Sequence, residues 1–376
     1  MAIRKINQTG VKMAMLVSGA MACVSAHAQS SVTLYGAIDT GIRYTNNGNA
    51  QGNSTWALGS GALMGSRWGI KGHEDLGNGT SANFVLESGF VPTTGVFDQQ
   101  GQEFGRQAWV GLDNKTYGTI QMGRIYSIGF WQLSNYDAFN LPNYLAEGWE
   151  TRLYGARMDN SAKYTFSRDD ITLQLQHSFG GQAGDFQAGT TNAGALSYSA
   201  HGVGAGMIAQ RSTDATDRHA NVLGMGATYA LSKFTFYGTY ILSRRDAGFT
   251  VGSTTGSALS NTSILSNATT VSGVQTTGRR DEYFSAGVAY RVVPALRVGV
   301  SLMLDNVAGV AGNTGGRIKT LVSLVDYQLS KRTDVYAELD RNVLNGASAT
   351  DVNSPVGTFH GHSSQTGVTL GLRTLF

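Results

Sequence analysis

The sequence predicts an all-β chain that closes into a sixteen-stranded antiparallel transmembrane β-barrel. Three observations carry this: a period-two alternation of apolar and polar residues, a regular alternation of short and long connections between those segments, and a composition unlike that of a water-soluble domain. Of 376 residues, 41% are hydrophobic and only 14% charged, with 50 Gly against 4 Pro. Soluble globular chains carry about 25% charged residues. The 15 Phe and 16 Tyr argue against a disordered chain, because rings at that density must be covered. The glycines follow no three-residue period, which excludes a collagen-like chain. No internal apolar stretch reaches the roughly 18 residues of a spanning helix.

The N-terminus reads as a leader. Arg4, Lys5 and Lys12 precede an apolar run over 13–24, and Ala26-His27-Ala28 supplies a small-residue cleavage pattern. The expectation is a secretory signal peptide over 1–28, leaving 29–376 as one barrel domain. The leader holds three of the 28 Lys and Arg and none of the 25 Asp and Glu, so the remaining chain has no formal net charge. A nucleic-acid partner inferred from basicity therefore has no footing. The single cysteine, Cys23, also lies in the leader, which leaves no disulfide and no thiolate metal site.

Past the leader, one parity of 32–44 gives Val32, Leu34, Ile38 and Ile42, and the other gives Thr33, Asp39 and Arg43. The pattern recurs as Ile171, Leu173 and Leu175 against Thr172, Gln174 and Gln176, as Leu296, Val298, Val300 and Leu302 against Arg297, Gly299 and Ser301, and as Val368, Leu370 and Leu372 against Thr369, Gly371 and Arg373. A soluble sandwich would turn the apolar face inward, whereas a membrane barrel turns it outward to lipid.

The connections choose between them. Breaks in alternation give short turns near 74–79, 113–117, 168–170, 201–202, 232–233, 293–295 and 330–333. Long polar segments lie near 46–63, 92–103, 127–156, 180–192, 211–219, 244–281, 306–316 and 342–362. Seven short connections alternating with eight long ones require sixteen strands, with both ends of the sheet on the short-turn side. Hydrocarbon offers no water to unpaired backbone groups, so such a sheet must close. A barrel of that width keeps an aqueous channel. Tyr35, Tyr44, Tyr164, Phe179, Tyr198, Phe234, Tyr290, Tyr327 and Phe376 fall near strand ends, as the two interfacial aromatic girdles require.

Several short motifs then resemble a known family. Ser31-Val32-Thr33-Leu34-Tyr35-Gly36, Ser66-Arg67-Trp68-Gly69, Phe104-Gly105-Arg106-Gln107-Ala108-Trp109, Met122-Gly123-Arg124, Asp159-Asn160-Ser161 and the terminal Phe376 are similar to segments of Gram-negative general diffusion porins of the beta-proteobacterial type. The resemblance implies a homotrimer of water-filled barrels, set among outer-membrane lipid and lipopolysaccharide, that passes ions and small hydrophilic solutes without a cofactor. It also implies that the third long loop, 127–156, folds inward. Matched motif by motif, Arg67, Arg106 and Arg157 would line the constriction, facing the loop acids Asp137 and Glu147, with Glu150 a further acid. Where enterobacterial porins carry Pro-Glu-Phe, this loop has Pro142-Asn143-Tyr144. Three arginines against one or two acids imply a weak anion preference. Phe376 would serve as the signal read by the barrel-assembly machinery.

Other functions have weaker support. No G-x-S-x-G elbow occurs. His360 and His362 form an H-x-H pair without a nearby carboxylate or thiolate, which is a poor metal site. Gly202-x-Gly204 and Gly224-x-Gly226 open no helix, so they read as strand positions that need small residues. A substrate-selective channel for sugars or organic anions would need a continuous aromatic track, and the lumen parity offers only scattered rings such as Tyr35, Tyr237 and Tyr336. The loop 244–281 could carry an adhesin or phage-receptor role compatible with either.

Overall fold

The computed structural model describes residues 30–139, 148–251, 263–270, 273–310 and 313–376. The leader expected over 1–28 lies outside the described residues, as does Glu147. Alternating sequence becomes strand throughout: β1 (Ser31–Thr45), β2 (Thr55–Ser60), β3 (Arg67–Gly77), β4 (Thr80–Gly89), β5 (Gln107–Asn114), β6 (Gly118–Tyr126), β7 (Arg157–Arg168), β8 (Ile171–Ser178), β9 (Thr191–Ala200), β10 (Val203–Thr213), β11 (His219–Leu231) and β12 (Phe234–Arg245). A two-residue hairpin, β13 (Thr269–Thr270) and β14 (Gly273–Val274), sits in the sixth loop. The barrel resumes with β15 (Arg279–Val293), β16 (Leu296–Val310), β17 (Thr314–Gln328), β18 (Thr333–Gly346) and β19 (Ser364–Leu375).

Every neighbour is antiparallel, and β1 closes the sheet on β19 from Ala37↔Leu375 to Thr45↔Gly367. On its other edge β1 pairs with β2 through Thr40–Thr45 and with β3 through Ser31–Ala37. β2 and β3 are thus two halves of one stave, which makes sixteen staves, as the connection count predicts.

The apolar parity faces outward. Val32 is 69% exposed and Leu34 61%, while Asp39 on the opposite face is fully buried. Water would penalise that exposed belt, whereas lipid accepts it, and the polar parity is left to line the interior. All seven short turns fall where expected. Two have the mirror-image geometry that matches strand twist: Asn78-Gly79 (φ 52° and 72°) and His201-Gly202 (φ 53° and 78°).

The long connections are shorter than the hydropathy suggests. Thr55–Ser60, read as loop from the sequence, is strand β2, so the first loop shrinks to 46–54. The expected loop 306–316 shrinks to 311–313, that at 211–219 shrinks to 214–218, and β18 continues to Gly346. Strands outlast the membrane: above the lipid belt both faces meet water, alternation fades, and backbone pairing continues.

Candidate pore constriction

The third loop is tied off at its base by Ser127. Its N–H donates to Ala156 O at 3.0 Å, its hydroxyl donates to Gly155 O at 2.6 Å, and the same oxygen caps helix α1 (Ile128–Ser134) by accepting from Phe130 N. The loop then folds into the lumen along one wall. Ile128 N donates to Gln176 Oε1 on β8 at 3.0 Å, Thr239 Oγ1 on β12 donates to Tyr136 O at 3.1 Å, and Arg297 on β16 donates to Ala138 O. After the undescribed 140–147, Trp149 Nε1 donates to Thr320 Oγ1 on β17 at 3.2 Å, and short helix α2 (Thr151–Tyr154) returns along β12 and β10 through Ser243 and Gln210.

Glycines make that seating possible. A Cβ on Gly206 or Gly226 would overlap Tyr136, and one on Gly287 or Gly299 would come within 2.8 Å of Ala138 or Phe139. The small residues read from Gly224-x-Gly226 therefore form part of the floor on which the loop lies.

The opposite wall, on β3 to β7, carries the arginines. Three segments far apart in sequence place Arg67, Arg106 and Arg157 around one phenol and one carboxylate. Arg106 Nε donates to Glu87 Oε1 at 2.9 Å and its Nη2 to Tyr126 OH at 2.7 Å. Arg157 Nη2 reaches the same phenol at 3.2 Å, with its guanidinium 4.7 Å from the ring centre. Arg67 Nη1 stands 4.0 Å from Glu87 Oε1, and Tyr35 OH donates to Glu87 Oε2 at 3.0 Å. Tyr126 in turn stacks on Phe130 of α1 at 4.6 Å, which fixes the cluster against the loop. Arg124 is engaged elsewhere, with Gly105 O and Asp159, and Arg152 reaches Pro355 O at 2.7 Å.

Asp137 is buried and turns back on its own loop, accepting from Phe139 N at 2.8 Å. It lies beside Glu150, which is also buried and whose Oε2 has no hydrogen-bond partner among the described residues. Burial, with the Asp137 charge adding to it, holds the Glu150 carboxyl well above the usual carboxylate range. The same burial, with Glu150 and Asp137 nearby, raises Tyr154. Two residues central to this geometry escaped the sequence reading. Glu87 is the carboxylate in contact with Arg67 and Arg106, and Tyr126 is the acceptor that Arg106 and Arg157 share. Tyr35, counted from the sequence both among the girdle rings and on the lumen parity, faces the lumen. The hairpin register Gly69↔Glu87 puts that acid on the lumen parity two residues from Arg67, and this was the available signal. On the short-turn side of α1, a compartment of about 600 Å³ is lined mainly by amides and hydroxyls, among them Gln107, Gln121 and Gln174.

The family model for Gram-negative porins matches residues 13–347. The chain belongs to that family. As a porin it shares 41% identity over 127 residues with an outer membrane porin protein of Bordetella pertussis, covering 31% of this chain and 33% of that one. The chain thus aligns with about a third of the length of the curated relatives it matches. Its barrel superposes on an anion-selective porin from Comamonas acidovorans with a TM-score of 0.73 at 22% identity, over 93% of this chain and 100% of the other. A trimer form of OmpT from Vibrio cholerae gives a TM-score of 0.65 at 12% identity, over 92% and 99%. These likenesses establish a porin barrel.

Proposed function

We propose that this porin is a passive diffusion channel of the outer membrane, weakly selective for anions, and not an enzyme. The observation that carries the reading is the gathering of Arg67 and Arg106 around a single carboxylate, Glu87, with Arg157 joined to them through the Tyr126 phenol, while Asp137 and Glu150 are buried within the loop. Buried Arg106 and Glu87 neutralise each other as an ion pair, so the part-exposed guanidinium groups of Arg67 and Arg157 leave the wall net positive, and an ion about 4 Å from an unneutralised charge gains roughly 4 kcal/mol at an effective dielectric near 20. A charged lining at the narrowest point sorts ions by sign. The Comamonas porin, described as anion-selective, supports the same sign.

Tyr35 and Tyr336 do not extend an aromatic track. Their hydroxyls are fastened to Glu87 and Asp39, so the rings brace the wall, and a general channel fits better than a sugar-specific one. The working unit is a homotrimer, in keeping with the trimer form of the Vibrio relative, exported by the leader 1–28 and assembled through Phe376. Reversal potential under a KCl gradient tests the selectivity. A shift toward the chloride potential is expected, and a shift toward the potassium potential would refute it.

A further inference from the structure

The lumen wall carries a further cation, Lys163, in a setting unlike that of the arginines. It stands six residues along β7 from Arg157 toward the short turns, roughly 20 Å at the rise of an extended strand. Register sets Gly111, Gln121, Lys163 and Gln176 in one row across β5 to β8, and Asp113, Thr119, Thr165 and Gln174 in the next row toward the short turns. Lys163 is 5% exposed, yet its ammonium has no hydrogen bond and no ion pair among the described residues. The one carboxylate of these rows, Asp113, accepts from the Thr119 hydroxyl instead. An ammonium offers three donors and no acceptor, and one held in a wall without a partner costs free energy that an arriving anion recovers.

Lys163 borders the compartment of about 600 Å³ beside α1, which has a flat apolar part and a hydrogen-bonding part. Trp131 on α1, 47% exposed, and Trp109 on β5 supply the first. In the second, Trp109 Nε1 donates to Gln107 Oε1 at 3.0 Å, which leaves the Gln107 amide N–H groups open, and Gln121 makes no hydrogen bond among the described residues. Thr172, Ser197 and Ser199 add hydroxyls, and no lining residue is acidic. Amides and hydroxyls both donate and accept, as alcohol groups require, while an indole offers its face to the C–H side of a saturated ring. The unpartnered ammonium calls for a carboxylate.

We infer that this compartment is a subsite for a sugar acid, a monocarboxylate bearing several hydroxyls, with the carboxylate on Lys163, the hydroxyls on Gln107, Gln121 and Thr165, and the ring against Trp131. The inference rests on the diffusion-channel reading and adds a solute class to it. A single compartment forms no continuous track, so the channel stays general and the solute is held only on its way past the constriction.

The test titrates the intact protein with D-glucuronate, and separately with D-glucose, acetate and benzoate, at constant ionic strength. Two readouts run in parallel: block of the open-channel KCl current in a planar bilayer, and tryptophan fluorescence in detergent. Glucuronate should saturate both at a concentration about tenfold or more below each of the others, since each of those lacks either the charge or the hydroxyls. Lys163→Gln should weaken glucuronate about tenfold, the effect of losing one charge-assisted hydrogen bond, and leave glucose as in the parent protein, whereas Trp131→Ala should weaken both. Glucuronate binding no tighter than acetate or glucose would overturn the proposal. So would tighter binding of benzoate, or glucuronate binding unchanged in Lys163→Gln. The current before any solute is added reads the channel itself, and fluorescence reads the subsite even in a barrel that carries no current, so failure of the subsite and failure of the channel reading are told apart.

Discussion

In the proposed constriction, Glu87 is the residue that limits the positive charge. It is 3% exposed and holds Arg106 by a 2.9 Å ion pair, so removing its charge acts on both selectivity and stability. Glu87→Gln should raise the chloride-to-potassium permeability ratio and lower the thermal midpoint, since breaking one side of a buried ion pair costs about 3–5 kcal/mol. Reversal potentials and thermal melts of the variant check the two effects; a falling chloride ratio would contradict the charge arrangement. Arg67→Glu should act oppositely, lowering the ratio by about fivefold or more for a change of at least ~1 kcal/mol.

Glu150 gives a pH dependence with a definite sign. Its folded-state carboxyl is raised by burial, so it contributes stability that is complete below the ordinary carboxylate pKa and is lost as pH rises toward the folded value. Glu150→Gln should therefore melt increasingly above the parent as pH is raised from about 4.5 upward. Parallel melting profiles would show that Glu150 does not titrate in a buried site. At this scale the sequence was only partly legible. The arginines stand in recognisable motifs, but Glu87 stands in an ordinary strand, Leu86-Glu87-Ser88, and gains its partners only through the pairing of β4 with β3.

Among the elements, the third loop depends on the wall beneath it. Tyr136 occupies the space left by Gly206 and Gly226, and its main-chain oxygen is held by Thr239. Because a Cβ at Gly226 would overlap the Tyr136 ring and its Cβ, a side chain there must displace the loop backbone. Gly226→Val should keep the barrel, push the loop off this wall into the lumen, and lower single-channel conductance; unchanged conductance would mean that the seating of Tyr136 does not set pore width. The strands themselves were readable wherever lipid faced one side, since alternation there has a physical cause. Reading stopped at the upper ends of β16, β17 and β18, which pair their backbones without an apolar parity to announce them, and at β2, whose outward Trp56 and Leu58 are too short a run to stand out from the flanking polar segment.

The whole molecule is a sheet with no free edge, and its seam is made at both ends of the chain. Gly36 N donates to Phe376 O and Phe376 N to Gly36 O, each at 3.1 Å, and the Phe376 ring lies over Gly36, where a Cβ would overlap it. Deleting Phe376 removes those two bonds as well as the terminal ring proposed as the assembly signal. The yield of folded protein should fall, as read by heat-modifiable mobility on gels, and an unchanged yield would count against that role. Closure and strand number were legible as a whole because they follow from counting connections. The asymmetry of the interior, with the loop on the β8 to β17 wall and the arginines on the β3 to β7 wall, follows from tertiary packing that no local pattern records. That asymmetry makes the channel's sign of selectivity its most exposed property. Single-channel recording of the purified protein in a planar bilayer, with reversal potential under a KCl gradient, measures it directly. Large ohmic steps with a reversal potential displaced toward chloride are the expected result; cation preference, or no open conductance at all, would contradict an arginine-lined diffusion pore.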